Sequence, residues 1–593
     1  MEVKDISNWR YRSQMEDLLF FASLIDEMTF DYTLDSFKAS VHNSFSLMRE
    51  CIETISDIEN ETIMQAALPP ITEEIKDTIA KDPILNVVMS INGLDLIVNK
   101  IDANTKYDEL KLVLEMFLAD SIIQQYNDLV RKELRDLIKA NSKSKTKIEK
   151  LSRMFVAQMK YLGYPNASIY KKNKEFFFGD ASNIQNVNAI DTFFSLFDAA
   201  PQQYTVCLFG NHLYDYIKTA LQSANIEIFS SYDLTKWSAS FVGINRSLKP
   251  QDRYIITQVI ALDEYHALLR AKDKLMHFTS LFSFYHHKDS FKFVRKEGII
   301  KRDIDGICFK IPIPMSAMLV CKDRFPSRAS KIYQNVISKI NLEEYSLERF
   351  AKSIKLHDAS LRSIHEENQF LNLFTSFEVL MPKAPNSGSS RINQISDTLI
   401  PYLCHIHFRR IIASFGQDLR LWNLPLYKSV LAQISEGNTE EEKLCALICL
   451  VKYDPQRTQI MTEATTNNFI LLRYRLWKLN DKMGTIEHVK STFFRFEERM
   501  RWHINRLYRT RNLIVHAGTH PVYLDMLLEN IHSFYDIFMR ELIIDITSRR
   551  TLKLEYSYLI RCQRYDQYTD YLRGLDNAVV IDESNFLKIL GIQ

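Results

Sequence analysis

Residues 496–531 read FEERMRWHINRLYRTRNLIVHAGTHPVYLDMLLENI. At about 100° per residue, Phe496, Met500, Ile504, Leu507, Ile514 and Val515 fall on one stripe, which predicts an amphipathic helix. Gly518 then makes a helix stop and puts His516 in the final turn, where the helix dipole favours a charged imidazole. Arg511 lies on the apolar stripe, four residues after Leu507, and an arginine facing a core is costly unless it is paired. Asn512 follows it in the only Arg-Asn dipeptide of the chain, so the segment carries the pattern R-N-x-x-x-H ending at His516.

Working outward, the chain is helical on both sides of a mixed middle. The three- and four-residue periodicity of MEDLLFFASLIDEM and YDELKLVLEMFLADSIIQQYNDLV predicts a helical N-terminal region over 1–155. From 156 to 325 the pattern changes to a small α/β region. There EFFF, QYTVCLF and IEIFSS read as short β-rich runs, and TVCLF, the helical YDYIKTAL and IEIFS read as one βαβ unit. A turn at Asp305-Gly306 separates further strands. Residues 326–551 are helical again, interrupted by the loop PKAPNSGSS at 382–390, and 552–593 form a tail with a helix in YSYLIRCQRYDQYTDYLRGL. The fold class expected is therefore mainly α.

Composition agrees and narrows the function. Only 14 Gly and 15 Pro occur in 593 residues, which suits helix interiors and excludes collagen-like or linker-dominated chains. With 75 Lys and Arg against 73 Asp and Glu, no global field draws the chain to a polyanion, so any such site is local. The segment 131–153 carries nine basic residues against three acids, with Lys143, Lys145 and Lys147 in its middle. It reads as a solvated helix end and connector, or more sharply as a nucleic-acid backbone patch to which Arg506 and Arg509 would add. The first 20 residues lack a basic stretch followed by an apolar one, and no apolar run reaches the roughly 18 residues of a spanning helix, so a cytoplasmic protein without a membrane partner is expected.

No phosphate loop, H-E-x-x-H, EF-hand loop or G-x-S-x-G occurs. His286, His287 and Asp289 form one histidine cluster, and Cys404, His405 and His407 another. Neither has a metal-ligand spacing, and Cys445 and Cys449 read as packed core thiols, so neither metal nor cofactor is expected. Asp303 and Asp305 read as a turn rather than a nuclease's acidic pair. That leaves the R-N-x-x-x-H segment. On an ideal helix Arg509, Asn512 and His516 share nearly one face, whereas Arg511 and His516 stand about 140° apart, so either Arg511 or Arg509 could be the phosphate contact.

The pattern resembles the signature of the HEPN superfamily, and NQFLNLFTSFEVLM at 368–381 is similar to the phenylalanine-rich, glutamate-bearing helix of its ApeA-like branch. ALDEYHALLRAKDKLMHFTSLF at 261–282 is similar to the segment often found upstream in that branch. The likeness covers 365–548, with a weaker reach back to about 255. It implies that 326–551 is a HEPN-like helical bundle, commonly dimeric with its site at the two-fold interface. Arg511 and His516 would be the catalytic pair, Asn512 would orient them, and Glu378 would partner Arg511. It implies a metal-independent endoribonuclease of anti-phage, abortive-infection or toxin type that leaves 2′,3′-cyclic phosphate and 5′-OH ends. RNA supplies the nucleophile, since its 2′-OH is absent from DNA. Residues 1–250 would then sense an activating ligand or phage component. The alternative expectation is a non-catalytic RNA- or protein-binding scaffold on the same helical domain.

Overall fold

The computed structural model describes residues 3–10, 14–40, 42–89, 98–198, 200–283, 285–320, 324–382, 391–548 and 553–592, so most of the loop expected at 382–390 lies outside the described residues. The chain is 68% helical and 6% strand, with one small antiparallel sheet. Among the described residues no helix is long and apolar enough to cross a membrane.

The N-terminal helices include α1 (Glu16–Thr29), α2 (Ser44–Glu59), α3 (Leu68–Ala80), α4 (Asp120–Lys139), α5 (Lys145–Tyr161), α6 (Asn166–Phe178) and α7 (Ala189–Ser195). Their shared core runs from Ile6 to Phe197, so the change from helix to strand falls at Gln202 rather than near residue 156. The EFFF expected as a strand is the last turn of α6, ended by Gly179. Its Phe177 is fully buried and packs its ring on Phe193 at 4.9 Å. Tertiary packing overrides the β preference of an aromatic run here.

The sheet runs β2-β3-β1-β4-β5, from β1 (Gln202–Gly210), β2 (Ile226–Phe229), β3 (Arg253–Ala261), β4 (Glu297–Arg302) and β5 (Cys308–Pro312). All neighbours pair antiparallel. The expected βαβ unit is split: β1 and β2 run parallel, but β3 is inserted between them. Central β1 alternates its side chains between two cores. Tyr204, Val206 and Leu208 meet α8 (Glu264–Ser283) on one face, while Cys207 and Phe209 meet Leu234, Phe241 and Ile244 on the other. The turn at Asp305-Gly306 is a β4–β5 hairpin, with Gly306 at φ +72° and Asp305 accepting from Arg302 Nε at 3.0 Å.

The C-terminal helices include α9 (Glu344–Arg362), α10 (Glu366–Leu380), α11 (Arg391–His405), α12 (Ile470–Met483), α13 (Ile486–Asn512), α14 (Leu524–Ser548) and α15 (Leu554–Gly574). One apolar core joins them, and the tail belongs to it through Leu554, Leu572, Phe586 and Ile589. Cys445 and Cys449 are buried free thiols in this core, and His407 is buried in a stack on Phe496 at 3.7 Å. The two large cores meet where Ile470, Leu471 and Tyr474 of α12 enter the N-terminal one.

Candidate functional site

The helix predicted from 496–531 is α13, 27 residues long and started by the Thr485 side chain accepting from the His488 backbone N–H. It does not end as an α-helix. Leu513–Ala517 form a π turn, closed by Gly518 in the left-handed region at φ +64°, the predicted stop. His516 stands exposed in that turn. In a π turn each hydrogen bond spans five residues, the separation of Arg511 and His516, so the turn rotates His516 back toward the face of Arg511. The same unwinding exposes Val515, expected on the buried stripe, to 46%.

Packing of α10 on α13 sets the arginine's partner. The rings of Phe374 and Tyr508 meet at 6.1 Å, and one turn further along each helix the Arg511 guanidinium comes within 3.7 Å of the Glu378 carboxylate. Arg511 also donates from Nη1 to Asn512 Oδ1 at 3.2 Å. At 27% and 20% side-chain exposure, Arg511 and Glu378 form an open ion pair at the surface, and its length leaves guanidinium donors for a ligand. Arg511, Asn512 and Glu378 are thus brought together, with His516 on the adjoining turn.

The buried arginines of α13 are not Arg511 but Arg506 and Arg509. Arg506 donates from Nε to Glu50 of α2 at 3.0 Å and pairs with Glu74 of α3, while Arg509 pairs with the same Glu50. Burial pushes Arg509 down to about 10, with Tyr523 opposing, which leaves it charged at neutral pH. His42 lies with its Nε2 3.6 Å from Glu50 and its ring edge-on to Tyr523; burial first, then Arg506 and Arg509, holds it well below the usual histidine range. Arg506 and Arg509 therefore clamp the N-terminal helices to α13 and are not an RNA surface. Lys145 is likewise taken, by Glu16 at 2.9 Å and by Asp17. Lys143 and Lys147 are exposed, and the Lys143 backbone N–H donates to Asp17 at 2.9 Å. Elsewhere in the basic segment Arg131, Arg135, Lys139 and Arg153 also pair with carboxylates. Sequence reasoning missed Glu50 and Glu74 because more than 400 residues separate them from their arginines.

A cleft of about 350 Å³ opens beside the π turn, lined by Ser280 of α8, His365, Glu367, Asn368, Ile514 and Gly518. Its wall is mixed in charge. His520 Nε2 lies 3.2 Å from Glu367. Burial, followed by the charges of Asp525, Asp273 and Glu367, raises Glu366 above the usual carboxylate range, and Lys272 opposes this. Asp303, the other acid of the turn, accepts from Thr205 Oγ1 at 2.8 Å, so both turn aspartates hold local structure. Comparison with family models, curated proteins and solved structures gave no match.

Proposed function

We propose that the chain is a metal-independent endoribonuclease of HEPN type, an effector of anti-phage or toxin kind whose helical bundle is built from α9 to α15. The observation that carries this reading is the Arg511–Asn512–Glu378 cluster one turn from an exposed His516. Arg509 is consumed by Glu50, which favours Arg511 as the phosphate contact. Held by Glu378 on one side, its guanidinium presents remaining donors to the scissile phosphate and neutralises charge gathering there. His516 removes the proton of the 2′-OH or protonates the departing 5′-oxygen. A second copy across a two-fold axis supplies the other histidine, so that one acts as base and one as acid. Such an interface would also cover Val515 and Val522, which are exposed beside the turn. The N-terminal region, clamped to α13, is the module through which a trigger would act.

The acidic groups around the cleft, Glu366, Glu367 and Asp273, favour the second reading, a protein-binding scaffold. Cleavage of RNA in EDTA by wild type and His516→Ala decides between them. Cutting that leaves cyclic phosphate ends and is lost in the variant supports the ribonuclease. Equal cutting, or none by either protein in the presence of its trigger, refutes it.

A further inference from the structure

Away from the Arg511 cluster, α9 and α14 bring together two histidines and an aspartate that are scattered in sequence. His357 Nε2 and His532 Nε2 face each other at 3.1 Å, and the Asp536 carboxylate lies 3.8 Å from the same His532 nitrogen. The three ligand atoms all fall within 4.8 Å of one another. His532 and Asp536 are spaced i, i+4, which puts both on one face of α14, and His357 reaches across from α9. We infer that His357, His532 and Asp536 form a binding site for a divalent transition metal ion of Zn²⁺ type, with water or an external ligand completing its coordination.

The geometry suits such an ion as well as it suits a hydrogen bond. A tetrahedral centre with metal–nitrogen bonds of about 2.0–2.1 Å has ligand atoms about 3.3 Å apart along each edge, close to the 3.1 Å between the two nitrogens. A hydrogen bond between two neutral imidazoles uses one proton and involves only two of the three atoms, whereas a cation engages all three lone-pair donors at once. Two imidazoles and a carboxylate also suit zinc, cobalt or nickel rather than calcium or magnesium, which prefer oxygen. The rings are held in place before any ion arrives. His357 stacks on Tyr535 at 4.9 Å, and the Tyr535 hydroxyl meets Ser353 Oγ at 2.8 Å. His532 is only 5% exposed, while Asp536 lies at the surface.

The ion would staple α9 to α14. Tyr535 beside the site packs edge-on against Phe377 of α10 at 5.3 Å, one residue before Glu378. The staple would therefore stiffen the helices that frame the candidate site without entering its chemistry.

Titration of the metal-stripped full chain with Co²⁺, read by its visible absorption, tests this. The expected result is the intense spectrum of a tetrahedral site with nitrogen ligands, bleached by Zn²⁺, and a melting midpoint that rises with Zn²⁺. His357→Gln and His532→Gln should each weaken binding at least ~100-fold while circular dichroism stays unchanged, and both should lose the Zn²⁺-dependent rise in melting. His286→Gln, at the exposed His286–Asp289 pair, should change nothing. Absence of the tetrahedral spectrum, or a spectrum that survives both histidine variants or vanishes with His286→Gln, overturns the site. None of these readouts depends on RNA cleavage.

Discussion

Two faces of the C-terminal turns of helix α13 use the same residue type for opposite purposes. In its buried part, Arg506 and Arg509 are about 5% exposed and lie against Glu50, itself 3% exposed. At its last turn Arg511 is 27% exposed, and its carboxylate partner stands off at 3.7 Å. The first arrangement spends guanidinium charge on holding two regions of the chain together; the second leaves it available. An arginine's role is thus set by how completely its neighbours satisfy it, and the exposed face is where chemistry can be placed.

The largest effect should come from the exposed face. His516→Ala should lower RNA cleavage about 10²–10⁴-fold, the usual weight of a general acid or base, and Arg511→Ala about 10²–10³-fold. Both should melt close to wild type, because neither side chain is buried. A large loss of stability in either variant would erase the contrast with the clamp.

Glu50→Gln tests the buried face. It removes the carboxylate shared by Arg506 and Arg509; Arg506 keeps Glu74, whereas Arg509 loses the acid it is buried against. The expected cost is about 3–5 kcal/mol, read as a lower denaturation midpoint. A midpoint equal to wild type would mean that the clamp contributes nothing.

A smaller effect follows from pH at a second contact between the two regions. Glu149 of α5 accepts from the Tyr474 hydroxyl of α12 at 2.8 Å and pairs with Lys478. Burial alone would raise this carboxyl, but Arg153 and Lys478 outweigh it and bring Glu149 to about 2. An unfolded glutamate titrates near 4.3, so this contribution is complete above that pH and is lost as pH falls toward about 2. Wild type should lose on the order of 2–3 kcal/mol more than Glu149→Gln over that interval, measured by denaturant unfolding. Parallel losses in the two proteins would place the acid sensitivity elsewhere.

Sequence patterning revealed what is local. The period of apolar residues gave the helices, and Gly518 marked the end of the motif helix because only a residue at ease at φ +64° closes it well. Asp305-Gly306 marked its hairpin for the same kind of reason. What depended on distant partners stayed hidden. The stripe argument placed Arg511 in the core, yet the buried arginines are 506 and 509, because the acids that admit them come from α2 and α3. EFFF gave no hint that Phe177 would join an aromatic core from within a helix. His357 and His532 lie 175 residues apart, so no spacing rule could join them.

The π turn has a consequence for how much length change this segment can absorb. A turn of this kind is an α-helix carrying one surplus residue, so the chain between Arg511 and His516 already holds the slack of a single insertion. Removing one residue from Leu513–Val515 would let the helix run on as ordinary α and draw His516 closer along the axis, to a four-residue separation on one face. The surplus residue is therefore what lifts His516 and Val515 clear of the bundle.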